Sequence, residues 1–386
     1  MIKRCTVLIF GGLLVAGAAE VHVNRWEGND GNSGGAGSPV ATLARGVGLL
    51  KAGDTLVVAN GPEPYFEALN LGKLSGSADK PISVEGNGAT LSGLVPMPAA
   101  EWDAQGDGTY RHQHKRWGAL QPYLMDGERE IAKGSFGDLL PDSHCWTTNG
   151  VWFRPADGKK LEEYRLLGTL RVSGVFITSG SYIRIRNLVC ERFANDGFNI
   201  HGGSRGLVFE NIEGRFNGDD GFSIHEDVEA AVYGGQFHGN NFGIQDVNAS
   251  QSIFHGVLAV SNRLAGIDFY GGYHSVFDSE VRDNGGNQIS VVANLAAHIG
   301  FSNDNPMCKG LVFVKNTSIH GGCTGVRVGA GSRLVMKECS VRDLQTGLDV
   351  AAEGVCHAVK TAVEKCSDAA VRQADGAVVV WDGAAE

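Results

Sequence analysis

Residues 183–206 read IRIRNLVCERFANDGFNIHGGSRG, and residues 207–230 read LVFENIEGRFNGDDGFSIHEDVEA. Set one above the other, they place Ile183 over Leu207, Asn195-Asp196-Gly197-Phe198 over Asp219-Asp220-Gly221-Phe222, and His201 over His225. The pattern continues down the chain. Short apolar segments begin at Ile183, Leu207, Ala231, Ser252, Ser275, Leu311 and Leu334, at steps of 24, 24, 21, 23, 36 and 23 residues. Second segments open with Gly and an apolar residue: Gly197-Phe198, Gly221-Phe222, Gly243-Ile244, Gly266-Ile267, Gly325-Val326 and Gly347-Leu348. A period near 22 residues with two or three short strands per repeat predicts a solenoid. The Leu/Asn pattern of leucine-rich repeats is absent. What remains is an all-β parallel β-helix, in which each repeat makes one coil and equivalent strands stack about 4.8 Å apart. Asn217, Asn240, Asn262 and Asn284 recur between the strands and read as a structural ladder.

Composition agrees. The chain has 386 residues, of which 56 are Gly and only 10 Pro. Gly is thus about twice its usual share of ~7%. Dense Gly suits tight turns between strands and opposes a helical bundle, because Gly in a helix costs ~1 kcal/mol relative to Ala. The net charge of −10 makes nucleic acid or an anionic membrane an unfavourable partner.

Residues 1–18 read as a secretory signal: Lys3 and Arg4, an apolar run from Val7 to Ala19, and small residues at Ala16-Gly17-Ala18. The run is too short to span a bilayer. The expected mature protein, residues 19–386, is one β-helix domain, secreted or periplasmic, without a membrane span and monomeric. Ser38-Pro39 is expected to open a capping helix carrying Val40, Leu43, Ala44, Val47 and Leu50 on one side. Residues 95–170 break the period and hold Trp102, Trp117, Trp146 and Trp152. They form an inserted subdomain whose aromatics pack its own core or wall a sugar-binding groove. Arg111 to Arg116 is a basic tract within it. Five cysteines fall between Cys308 and Cys366, where export allows one or two disulfides, while most of them read as buried small hydrophobes in a fold that needs no bridge.

The polar residues are the informative part of the repeat. Asp196, Asp219 and Asp220 fall at stacked positions. Asn199, Ser223, Gln245 and Asp268 run out of phase with the core and are expected to point outward together. Carboxylates about one coil apart repel each other, so a fold gains nothing from stacking them. Such clusters hold a metal or keep a proton at raised pKa.

Pro39-Val-Ala-Thr-Leu, Lys51-Ala-Gly-Asp-Thr-Leu-Val-Val and Ser77-Ala-Asp-Lys-Pro-Ile-Ser-Val resemble the opening of right-handed parallel β-helix proteins of the pectate-lyase-like superfamily. That resemblance implies a right-handed coil and a secreted polysaccharide lyase, glycosidase or epimerase. Asn195-Asp196-Gly197 with Asp219-Asp220 resembles the Asn-x-Asp-Gly and Asp-Asp coils of pectin-hydrolysing glycosidases. Their Gly-His-Gly turn is missing, since this chain reads Asn240-Asn-Phe-Gly243, and their Arg-x-Lys element is missing too. His225 or His201 could replace the absent histidine. Gly221-Phe-Ser-Ile-His225-Glu226 is similar to a Gly-Phe-Asp-Pro-His-Glu segment of alginate epimerases, with Ser223 in place of the catalytic Asp.

The leading expectation is a glycoside hydrolase cleaving a polysaccharide without a cofactor. Its catalytic candidates are Asp196, Asp219, Asp220 and His225, and its substrate-binding candidates His201, Asn199, Ser223, Gln245, Asp268 and Arg263. The alternative is a polysaccharide lyase or uronate C5-epimerase. There Asp219, Asp220 and Glu226 could hold Ca²⁺, with Arg263, Arg282 or His225 as base. A third reading is a non-catalytic, glycan-binding surface protein.

Overall fold

A computed structural model describes residues 18–114, 122–293 and 309–382. The expected signal segment, Trp117, Cys308 and the end of the basic tract lie outside the described residues. Inward side chains of the solenoid make one continuous apolar core, with Phe198, Phe209, Phe222, Phe237, Phe254 and Phe269 fully buried. The strands around it pair in parallel from coil to coil. One face stacks Ile82–Ser92, Ile183–Glu191, Leu207–Arg215 and Glu229–His238. A second face stacks Val175–Thr178, Phe198–His201, Asp220–Ile224 and the strand from Phe242.

The first-face register differs from the sequence reading by one residue. Leu207 lies opposite Ala230, not Ala231, and the ladder continues through Ser252, His274, Val312 and Leu334. Each coil bends at a residue in the left-handed region: Asn187, Asn211, Gly234, Gly256 and Asp278, with φ between 50 and 66°. Gly, Asn and Asp tolerate that conformation best, which explains part of the Gly content.

The Asn ladder is a row of side-chain bonds. Asn240 Oδ1 accepts from the backbone N–H and the side-chain amide of Asn217, at 2.9 and 3.0 Å. Asn262 does the same for Asn240, and Asn284 for Asn262. Gln288 closes the row.

Three details qualify the expectations. The cap helix is one turn, Leu43–Val47, and Thr42 rather than Ser38 caps it, accepting from Arg45 N at 3.1 Å. Ser38 is instead in a turn bridged to Gly35, and Val40 pairs with Val23. No disulfide forms among the described cysteines of the C-terminal region, because Cys323, Cys339, Cys356 and Cys366 carry free thiols. Finally, Asn199, Ser223 and Asp268 point off the core yet are buried, closed over by one another and by neighbouring turns.

The stretch from Leu94 to Thr169 leaves and rejoins the solenoid through one antiparallel pair, Leu94–Pro96 with Leu166–Thr169. It holds two small, mainly antiparallel sheets. Trp102, Phe153 and Tyr164 pack its own core with Met97, Leu124 and Ile131.

Candidate active site

Two adjacent coils bring the acids together. Gly197 and Gly221 hold equivalent strand starts in register, with Phe198 opposite Phe222 and Asn199 opposite Ser223. Asp219 N donates to the carbonyl of Asn195 and Asp220 N to Asp196 Oδ1, the latter at 3.1 Å. Ligand oxygens of Asp196, Asp219 and Asp220 all lie within 4.8 Å of one another. Asp196 and Asp220 are each 1% exposed, whereas Asp219 is partly open to solvent.

Each acid receives hydrogen-bond donors. Asp196 Oδ2 accepts from the side-chain amides of Asn195 and Asn199. Asp219 Oδ1 accepts from Asn241 Nδ2 at 3.1 Å. Asp220 Oδ2 accepts from Ser223 Oγ at 2.7 Å, and Ser223 Oγ lies 3.0 Å from His225 Nε2. His225 stacks on His201 with ring centroids 4.4 Å apart and planes within 4°. His201 Nδ1 faces Glu226 at 3.3 Å.

Burial, then repulsion by Asp219, holds the Asp196 carboxyl well above the usual carboxylate range. Burial, then repulsion by Asp196 and Asp219, does the same for Asp220. Burial raises Asp219 too, against the pull of the Asn241 amide and the Arg263 charge. Three acids this close disfavour one another's ionisation, which adds to the effect of burial.

Of the described acids, Asp196, Asp219 and Asp220 are the ones placed to share a cation. Glu226 is not among them. It accepts from Gly202 N at 2.7 Å and faces His201, so the expected Asp219, Asp220 and Glu226 set does not assemble. Ca²⁺ takes six to eight oxygens. Here N–H and O–H donors point at the carboxylates where an ion would need lone pairs. Asp220 Oδ1 and Asn199 Oδ1 are the buried oxygens of the group left without a partner. That donor set fits shared protons, and the two open oxygens are the ones a cation would also have to use.

Arg263, expected to bind substrate, is committed to the protein. It donates to Asn241 Oδ1 and to the carbonyls of Gly239, Asn217 and Gly218, tying three coils together. Tyr123 of the insert lies near it, close enough for the Arg263 charge to act on the phenol. The Lys133 ammonium sits 5.2 Å from the Tyr123 ring centroid. Arg282 is engaged with Glu280 and Asp283.

The ladder Asn199, Ser223, Gln245, Asp268 holds in register and continues to Ser290 and Arg327. Asp268, with Phe242, Leu264, Tyr270, Ser290 and Arg327, lines an open groove beyond the acid group. Burial pushes the Asp268 carboxyl up to about 6, against hydrogen bonds from Ser290 and Tyr270. The sequence reading missed Tyr270 and Arg327. The period places Arg327 but cannot mark it as groove-lining, and nothing in the sequence predicts where the insert docks.

A family model described as the right handed beta helix region matches residues 173–305. No curated protein matches the chain. Among solved structures, XylC in complex with xylose is similar at 11% identity and TM-score 0.54, over 92% of this chain and 70% of that one. A glycoside hydrolase is similar at 11% identity and TM-score 0.52, over 95% and 97%. The A-module of the Azotobacter vinelandii mannuronan C-5 epimerase AlgE4 is similar at 11% and 0.50, over 87% and 80%. The likeness is one of fold. The chain has the right-handed parallel β-helix fold.

Proposed function

We propose that this chain is an exported carbohydrate-active enzyme, a glycosidase that hydrolyses a polysaccharide at the Asp196, Asp219 and Asp220 group. The observation that carries the reading is the convergence of three carboxyl groups within 4.8 Å, two of them buried, with burial and mutual repulsion favouring their protonated forms. Asp219 is the member that solvent reaches and the one that meets the sugar. A protonated carboxyl of the group gives its proton to the leaving oxygen, and an ionised one takes the proton of the attacking water. A glycoside hydrolase and a mannuronan C-5 epimerase among the proteins of this fold support a carbohydrate substrate without choosing the reaction.

The test is a panel of polysaccharides with product sizing and an assay of new reducing ends. Hydrolysis by the wild type, lost in Asp219→Asn, supports the reading. An unsaturated product absorbing in the ultraviolet contradicts it, because that product belongs to β-elimination. Hydrolysis by carboxyl acid–base catalysis needs no metal, so EDTA is expected to leave turnover unchanged. Loss with EDTA and recovery with Ca²⁺ would move the chain to the lyase or epimerase reading.

A further inference from the structure

We propose that Ser223 and His225 form the path by which the sealed Asp220 carboxyl exchanges protons with solvent. The inference rests on the acid–base reading of the acid group and adds a mechanism to it. Asp220 is 1% exposed, so water does not reach its oxygens directly. A carboxyl that gives up a proton in each turnover must regain one before the next.

One chain of contacts leads outward. Asp220 Oδ2 and Ser223 Oγ are 2.7 Å apart, and Ser223 Oγ and His225 Nε2 are 3.0 Å apart. His225 is partly exposed. Ser223 is itself fully buried, so its hydroxyl is held between the two partners. The transfer balances without a co-reactant. Imidazolium Nε2–H passes its proton to Ser223 Oγ while Ser223 Oγ–H passes its own to Asp220 Oδ2. The serine ends unchanged, the imidazole is neutral, and it takes a proton from water.

The ionisable groups facing Asp220 are Asp196, Asp219 and Asp268. On the His225 side, His201 stacks at 4.4 Å with Glu226 behind it. Ser223 is a positioning residue here, because it acts through its neighbours.

The experiment is a pH jump followed by infrared absorption of the protonated carboxyl C=O stretch, assigned to Asp220 by its loss in Asp220→Asn. The expected result is a relaxation at least ~10-fold slower in His225→Gln and in Ser223→Ala. Added imidazole should restore the rate in His225→Gln, and Ser223→Thr, which keeps the hydroxyl, should stay near wild type. A wild-type rate in His225→Gln, or a Ser223→Thr variant as slow as Ser223→Ala, would overturn the path. An Asp220 band absent at every pH would overturn it as well. Melting curves identify any variant that fails to fold, and Ser223→Thr and His225→Gln keep the test open if Ser223→Ala does. Because the infrared signal needs no substrate, a correct relaxation pattern in a protein that hydrolyses no glycan would uphold the path and refute the glycosidase reading.

Discussion

Asp196, Asp219 and Asp220 carry opposite expectations for stability and for activity. In each, Asp→Asn removes an ionisable group from a crowded site and keeps the side-chain shape. Turnover should fall by ~10²–10⁴, the usual cost of losing general acid–base help. Melting temperature should hold or rise slightly, because repulsion among the acids is relieved. Turnover and melting curves measured together on the three variants check this; near-normal turnover in all of them would place the chemistry elsewhere. Asp268 makes a separate prediction with a definite sign. Its folded pKa is about 6 against an ordinary 3.8, so the folded state holds that proton more tightly. The stabilisation is full below pH ~4 and is lost as pH rises through about 6, a change of about 3 kcal/mol. Denaturant titrations between pH 4 and 7 should show wild-type stability falling relative to Asp268→Asn, which cannot ionise. Spacing made the stacking of these acids legible. Their sealing was not legible, because Asn195 and Asn199 close Asp196 through rotamers that no period records.

The strands were read correctly where glycine marks them, and with a one-residue slip where it does not. Gly197, Gly221 and Gly243 open equivalent strands because a Cβ there would meet the next coil's backbone at 2.5–2.8 Å. The first-face strands have no such marker, and Ala231 and Ala230 look alike to a hydrophobic pattern. In the cap helix, Ser38-Pro39 is a good helix start by itself. The bridge of Val40 to Val23 competes and wins, leaving Thr42 to cap a single turn. The Asn ladder was legible from spacing alone, and it predicts a large local effect. Asn240→Ala would strand the Asn217 N–H and the Gly214 carbonyl, both bonded to Asn240. The expected cost is ~2–3 kcal/mol, read as a lower midpoint in denaturant. In the insert, Tyr123→Phe removes the hydroxyl that faces the Arg263 charge and should raise KM several-fold with kcat little changed. An unchanged KM would mean that the insert does not shape the sugar site.

At the scale of the whole molecule, the solenoid turns a sequence period into a row of outward side chains at ~4.8 Å steps, about the length of a sugar unit. The acid group lies on that row, with the Asp268 groove further along it and Tyr123 of the insert near Arg263. The fold was legible because a repeat states the same packing solution many times. The site was legible as a list of stacked polar residues and less so as chemistry. Arg263 reads as a sugar ligand in the sequence and is an internal clamp in the structure. Asp246, which no spacing in the sequence marks, is fully buried 3.3 Å from His274. Among the described residues no helix is long and apolar enough to cross a membrane. The central claim is hydrolysis by the stacked carboxyl group, and one measurement meets it most directly: product analysis on a polysaccharide panel with the wild type and Asp219→Asn side by side. The account predicts shortened chains with new reducing ends and no ultraviolet-absorbing unsaturated sugar, and their near-complete loss in Asp219→Asn. Unsaturated or epimerised products, or equal cleavage by both proteins, would contradict it.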